Sequence, residues 1–454
     1  MTLNKYIEGL KDKNIAVVGV GVSNVPLLHL LADNGCCVTA CDRRSAEEIG
    51  AAYDELAAKG VLFSLGEHYI DTLDFDVVFR TPGIHPDQLK AAVRTDTVIT
   101  SEMEAFFACC PCKIIAVTGS DGKTTTSTII SELLGRSGYV VHLGGNIGKP
   151  LLCEIPSFGK DDIAVLELSS FQLHSMYCKP DIAVITNLSP NHLDVHPTFE
   201  DYVSAKQNIY KQQDEECRLV LNLDNALTAT CAKDSAAKLE WFSMLQKLEN
   251  GFCFHDNAIW RGEEKYIDAD DILLPGMHNV ENYMAAFAAT DGLVTKECCV
   301  AVAKTFGGVA HRIELIRKYK DIRFYNDSIA TSPTRTIAGL HSFKEKLILI
   351  AGGHDKGIPF DELAKEILAC AKALFLVGET AEKIFAAVTS QPDYDPEILP
   401  VYIFEDFNAT ISAAASFAQK GDCVLFSPAC SSFDMFRNFV ERGNTFRKIV
   451  EELE

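Results

Sequence analysis

Short apolar runs recur along the whole chain, and several end in glycine or proline turns. NIAVVGVG (residues 14–21) is an apolar strand closed by a glycine turn. A helical stretch follows over residues 26–32, then the strand CCVTACD (36–42) and the strand DVVFRTPGI (76–84), which ends on Pro-Gly. A second series starts near residue 99, with strands at 114–118, 140–143, 163–168 and 182–186. A third begins after residue 310, with strands at 347–351, 373–377, 401–404 and 423–426. Strands alternating with helical segments predict parallel, Rossmann-like sheets. A chain of 454 residues is too long for one core. The expected architecture is α/β in three domains. These are a Rossmann-like N-terminal domain (1–98), a P-loop ATPase-like central domain (99–309) and a Rossmann-like C-terminal domain (310–454).

The most specific chemistry lies in IIAVTGSDGKTTTSTII, residues 114–130. An apolar strand enters a turn made of Gly119, Ser120, Asp121 and Gly122, and a helix follows. Glycines let consecutive backbone N–H groups converge on an anion. The helix adds its positive N-terminal end. Lys123 would reach the β/γ-phosphates, and the hydroxyl of Thr124 or Thr125 would hold Mg²⁺. Val117 stands where the strict P-loop has glycine, so this is a shortened variant. The predicted ligand is ATP.

Gly19-x-Gly21 followed by Asp42 resembles a dinucleotide fingerprint, but Asn24 occupies the third glycine position. Another nucleotide at the same switch point is favoured over NAD. Arg43 and Arg44 either meet a phosphate there or form a solvated loop.

Five further segments would have to converge on Lys123. GGNIGKP (144–150) brings the Asn146 amide. AVLELSSFQL (164–173) puts Glu167 at the carboxyl end of a buried strand, where carboxylates coordinate nucleotide-bound Mg²⁺. A carboxylate in that apolar setting needs a cation partner. TNLSPNHLDVHP (186–197) places His192 and Asp194 on the same rim. GMHNVENYMAAFAA (276–289) carries Asn279 and Asn282 in its first helical turns, suited to an adenine edge or to helix capping. YVSAKQNIY (202–210) reads as a helix with Lys206 and Tyr210 four apart; taken alone, such a lysine is solvated. These residues predict an Mg-ATP-dependent phosphoryl-transfer enzyme, leaving open a P-loop ATPase or binding module.

A net charge of −21 disfavours nucleic-acid and anionic-membrane partners, so anionic substrates must be held by local cations and helix ends. Lys5, Glu8, Lys11, Asp12 and Lys13 interrupt any signal-peptide apolar region, and no apolar run approaches a membrane span. A cytoplasmic monomer acting on small molecules is expected. The 16 cysteines include groups at 36, 37, 41 and at 109, 110, 112, neither with paired zinc spacing. Reduced thiols serving as small apolar residues are expected.

Ten ordered segments together resemble the Mur ligase family, the ATP-dependent amide-forming enzymes of peptidoglycan precursor assembly. They are TGSDGKTTT, GGNIG, LELSSFQL, NHLD, YVSAK, PGMHNVEN, AHRIE, NDSIATSP, AGGHDKG and SPACSSFDMF. LELSSFQL, TPGI and SPACSSFDMFRNF most resemble the members that add D-glutamate to a UDP-linked muramoyl-alanine. Another Mur ligase or a folylpolyglutamate-type ligase is the alternative within the superfamily. The resemblance implies that Lys123 and Thr124 bind ATP phosphates and Mg²⁺, with Glu167 and His192 as Mg²⁺ ligands. Lys206 matches a lysine that carries a carbamate beside the metal. Asn279, Asn282, Arg312 and Asp327 would join the ATP site. Val22, Ser23, Asp42, Arg43, Thr81 and Gly83 would line the uridine-diphosphate pocket, with Asn146, Ser169 and Gln172 on the sugar or alanyl portion. Thr331, Lys356, Ser432 and Phe439 match a D-glutamate pocket. The family often reads Asp-Ser-Lys-Ala-Thr where this chain has isoleucine at 329, so that lysine's role must pass elsewhere.

Overall fold

The computed structural model describes residues 1–191 and 196–453. Its backbone forms two compact units, residues 1–269 with 281–302, and residues 270–280 with 303 onward. Three sheets build them.

The first unit holds two sheets. One contains β1 (Asn14–Val18), β2 (Cys37–Asp42), β3 (Leu62–Leu65), β4 (Val77–Phe79) and β5 (Val98–Thr100). All pairs are parallel, in the order β3-β2-β1-β4-β5. The other contains β6 (Lys113–Thr118), β7 (Val141–Gly145), β8 (Ile163–Glu167), β9 (Ile182–Ile185), β10 (Arg218–Asn222), β11 (Lys238–Ser243), β12 (Phe252–His255), β13 (Ala258–Arg261) and β14 (Glu264–Asp268). Its order is β14-β13-β12-β11-β10-β9-β6-β8-β7, with β12, β13 and β14 joined antiparallel. Every residue of β8 and β9 is buried. Crossover helices cover both faces of such strands, which is why they read as unbroken apolar runs.

The second unit is built on β15 (Glu314–Tyr319), β16 (Ile322–Asn326), β17 (Leu347–Ala351), β18 (Ala371–Val377), β19 (Val401–Phe404) and β20 (Cys423–Phe426). The order is β15-β16-β20-β17-β18-β19, parallel except for the β15–β16 hairpin. The strand read over 76–84 is shorter than its apolar run: β4 ends at Phe79, because Arg80 turns inward and Pro82 cannot donate to a ladder.

Two buried arginines brace the loops that follow these strands. Arg80 donates to the carbonyls of Phe171 (2.9 Å) and Gln172 (3.1 Å) and to Ser175 Oγ (2.9 Å). It ties the turn after β4 to the segment after β8. In the second unit Arg442 donates to the carbonyls of Ser328, Cys430 and Ser431, at 2.9–3.0 Å. Burial lowers its guanidinium to about 10.

Glu102 starts the helix Glu102–Cys109 and accepts from Leu152 N at 3.0 Å. Burial raises its carboxyl from 4.5 to about 7, which that single hydrogen bond only partly offsets. Between those values the folded chain holds a proton that the unfolded chain has released. Stability therefore falls as pH rises through this window, by roughly 3 kcal/mol at most. Glu102→Gln keeps an oxygen acceptor and removes the titration. The variant should match the parent near pH 4 and melt at a higher temperature at pH 8.

Candidate active site

The turn after β6 sits where the central sheet reverses its strand order, with β8 on one side and β9 on the other. In open α/β sheets ligands bind at the carboxyl ends of strands at such a switch point. Gly119 has φ +149°, and a Cβ there would lie 1.9 Å from Thr186 Oγ1. Gly122 has φ +78°, and its Cβ would lie 2.3 Å from Asn282 Oδ1. Only glycine fits both places, so the backbone is free to wrap an anion. Ser120 N donates to Asn187 O and Asp121 N to Asn187 Oδ1, both within 2.9 Å, holding the loop against the end of β9. The helix Lys123–Arg136 starts directly after Gly122.

Lys123 Nζ lies over the loop, donating to Gly119 O (3.0 Å) and Ser120 O (2.9 Å). Thr124 Oγ1 donates to Glu167 Oε2 at 2.7 Å, and Asn146 Nδ2 to Glu167 Oε1 at 2.9 Å. Glu167 is only 2% exposed at the end of β8. Three of the segments expected to converge, from β6, β7 and β8, thus meet at one carboxylate. Asn282 accepts from Thr126 Oγ1 at 3.3 Å, which puts it beside the same helix. Thr125 is buried one residue further on. Asn279 donates to Pro275 O at 2.6 Å and closes the turn entering its own helix. His192 and Asp194 lie outside the described residues.

Lys206 differs from the solvated lysine expected of an isolated helix. It is 1% exposed, with Nζ 2.7 Å from Gly119 O and 3.4 Å from Thr118 Oγ1. The Tyr202 ring lies 4.8 Å away, and Tyr202 OH reaches Ser120 Oγ at 2.9 Å. Burial drives its amine well below the usual lysine range, and the Lys123 charge pushes the same way. The helix, Phe199–Gln207, stops before Tyr210.

Gly145 couples β7 to the carboxylate. At φ +99°, a Cβ would fall 2.2 Å from Glu167 O, and the next residue donates Asn146 N to that oxygen at 2.7 Å. Gly145→Ala must displace the backbone of Glu167. It should cost about 1–3 kcal/mol of stability and lower kcat more than it changes KM for ATP. Denaturant unfolding and steady-state kinetics check both parts.

The N-terminal sheet has its own switch point, between β1 and β4. Gly19, at φ +88°, packs against Thr81, a Cβ on it lying 3.0 Å from that side chain. Val22 and Ser23 follow the β1 turn, and Gly83 is exposed in the β4 turn. Asn24 ties the carbonyls of Val18 (3.0 Å) and Gly19 (2.9 Å), doing with an amide what a dinucleotide fingerprint does with glycine. Asp42 accepts from Val20 N (2.6 Å), Arg44 N (2.9 Å) and the Arg44 guanidinium. Burial opposes its charge, but these donors hold its carboxyl below the usual range. Of the two arginines offered to a phosphate, Arg44 is thus bound to Asp42, whereas Arg43 is exposed. Ser169 and Gln172 form a capping box on the helix Ser170–Leu173, and Ser23, Arg80 and Gln172 line one pocket.

In the second unit Asp327 directly follows β16, accepting from Ser427 Oγ (2.8 Å) and Ile313 N (3.3 Å). Burial raises its carboxyl to about 7, against the pull of those bonds and of Arg312 and Arg335. Lys356 Nζ donates to Thr331 O at 3.0 Å. Ser432 is buried beside the carbonyls that Arg442 holds, and Phe439 O accepts from Ser328 Oγ at 2.8 Å. Ile329 O accepts from Arg335 at 3.2 Å, so an arginine stands near the position where the family often has lysine.

Sequence reasoning passed over Arg80 and Arg442. The first had a signal, a charge at the end of the apolar run VVF; the second, within a helix rich in charged residues, had none.

Matched against family descriptions, residues 117–290 fit the Mur ligase middle domain and residues 311–430 the Mur ligase, glutamate ligase domain. The chain belongs to the Mur ligase family and is an ATP-dependent amide-bond-forming ligase. The UDP-N-acetylmuramoylalanine–D-glutamate ligase of Acetivibrio thermocellus is 46% identical over 461 aligned positions, spanning 100% of this chain and 99% of that protein. Among solved structures, a UDP-N-acetylmuramoyl-L-alanyl-D-glutamate–2,6-diaminopimelate ligase superposes with TM-score 0.59 at 19% identity, covering 92% and 93% of the two chains. The MurF ligase of Thermotoga maritima in complex with ADP superposes with TM-score 0.54 at 18% identity, covering 98% and 97%. Among the described residues no helix is long and apolar enough to cross a membrane.

Proposed function

We propose that this enzyme adds D-glutamate to UDP-N-acetylmuramoyl-L-alanine, with ATP and Mg²⁺, in peptidoglycan precursor synthesis. The full-length identity to the D-glutamate-adding ligase carries the choice of substrate. The glycine cradle beside a buried Glu167, already bonded to Thr124 at the start of the following helix, supports the phosphate chemistry. The working division is residues 1–98 for the UDP substrate, 99–309 for ATP and 310–454 for the amino acid, in a cytoplasmic monomer.

Joining a carboxylate to an amine in water needs activation. The alanyl carboxylate attacks the γ-phosphorus of ATP, the bond to ADP breaks, and an acyl phosphate forms. The amine of D-glutamate then adds to the acyl carbon, and inorganic phosphate leaves as the amide forms. Two anions must approach each other, so positioning and charge neutralisation dominate. The N–H groups of Gly122 to Thr125 at the start of the helix would face the phosphates, and Lys123 would swing from the Gly119 and Ser120 carbonyls onto them. Thr124, Glu167, His192 and a carbamylated Lys206 would hold Mg²⁺, which supplies positive charge to the transferring group. Asn279, Asn282, Arg312 and Asp327 would hold the rest of ATP. Val22, Ser23, Asp42, Arg43, Thr81 and Gly83 would hold the uridine diphosphate. Asn146, Ser169 and Gln172 would face the sugar and alanyl groups, and Thr331, Lys356, Ser432 and Phe439 the D-glutamate.

Mass spectrometry of the product from UDP-N-acetylmuramoyl-L-alanine, ATP and D-glutamate tests the assignment. One glutamyl residue should be added, with phosphate released in equal amount. Faster turnover with a different acceptor amino acid, or ATP hydrolysis independent of any amino acid, would overturn it.

A further inference from the structure

His85, His174 and Asp201 meet at one point although they come from three separate elements, and the proposed ligase chemistry uses none of them. His85 lies in the turn after β4 that also carries Thr81 and Gly83. His174 follows the helix Ser170–Leu173, and Asp201 is in the first turn of Phe199–Gln207. His85 Nε2 is 3.1 Å from His174 Nε2, which is 3.0 and 3.1 Å from the two oxygens of Asp201. All three donor groups lie within 4.8 Å of one another.

A neutral imidazole nitrogen carries either one proton or one lone pair. His174 Nε2 therefore cannot donate to Asp201 and accept from His85 at once. A cation placed between the three atoms satisfies them all. The corners of a tetrahedral site with bonds of 2.0–2.1 Å are about 3.3 Å apart, close to the 3.0–3.1 Å that separate His174 Nε2 from His85 and from Asp201. The support behind the ligands also fits. His196 Nδ1 holds Asp201 Oδ2 at 2.6 Å, leaving Oδ1 for a metal, and His196 Nε2 is itself fixed at 3.0 Å from Ser170 Oγ. Phe171 stacks on the His196 ring. Such outer partners orient metal-ligating groups.

We infer that His85, His174 and Asp201 form a second cation site, for a divalent transition ion of the zinc class with a fourth position open to water. Two imidazoles and one carboxylate select zinc, cobalt or nickel over the hard magnesium ion of the phosphate site. The ion would clasp the turn after β4 to the segment after β8, alongside Arg80.

Cobalt(II) titration of the metal-free full-length protein, with Mg²⁺ and ADP present, tests this. One cobalt per chain should bind with a visible d–d band and no thiolate charge-transfer band, and zinc should displace it. His174→Gln and His85→Gln should each weaken that binding at least tenfold, whereas Glu167→Gln and His341→Gln should not. Zinc should raise the melting temperature of the parent but not of His85→Gln, a turn variant whose metal-free melting temperature should match the parent's. Parent-like cobalt binding in both histidine variants, a thiolate band, or no stoichiometric binding at all would overturn the assignment.

Discussion

Lys123→Ala should reduce D-glutamate-dependent phosphate release by at least ~10²–10³-fold, the usual consequence of removing a group that neutralises developing charge. Most of the loss should fall on kcat. The anion cradle is made by backbone N–H groups, and the glycines that shape it, Gly119 and Gly122, are untouched by the substitution. ATP affinity should therefore change less than turnover. Lys123 Nζ rests on two loop carbonyls, 2.9–3.0 Å away, from which a side-chain rotation would carry it to a polyphosphate held by this loop. Lys123→Arg should not restore activity. The planar guanidinium spreads over several atoms a charge that the ammonium concentrates at one point. Near-normal turnover in Lys123→Ala, measured by phosphate release in the presence of both substrates, would remove this loop from the reaction.

Much of this site was legible because phosphate binding is written in local sequence. A strand, two glycines, a lysine and a threonine within eight residues are enough to place a cradle, and the buried strands around it read as apolar runs. The convergence of Asn146, Thr124 and Glu167 followed from three carboxyl strand ends sharing one edge of a sheet. What was not legible depended on long-range packing. Lys206 reads as a surface lysine by local rules, and only the fold buries it under Gly119. Arg80 acts on carbonyls 91 and 92 residues away, and Arg442 on one 114 residues away, separations no window detects. The antiparallel strands β12 to β14 had a readable sign that went unused. Asp256 and Asn257 both take positive φ, 49° and 55°, the geometry of a tight hairpin turn between two apolar runs. The Asn24 substitution shows the opposite case, in which a broken motif marks a different solution to the same turn.

Lys206→Ala should also abolish most activity, and added short carboxylic acids should recover part of it. The argument starts from burial. A lysine at 1% exposure, hydrogen-bonded to a carbonyl and a hydroxyl, is pushed towards its neutral form by burial and by the Lys123 charge. A neutral amine is nucleophilic towards carbon dioxide. Carbamate formation makes one N–C bond, releases one proton and turns the neutral amine into an anion next to the phosphate loop. That anion would complete the oxygen ligands offered by Thr124 and Glu167. Lys206→Arg keeps length and positive charge but cannot form the carbamate, so it should be as inactive as alanine. Activity of the parent should rise with added bicarbonate after exhaustive removal of carbon dioxide, with no such response in either variant. Full turnover in Lys206→Ala would exclude a required carbamate. Rescue by acetate or formate in the alanine variant alone would separate the loss of a carboxylate-like group from the loss of packing against Tyr202, because a small anion fills the first role and not the second.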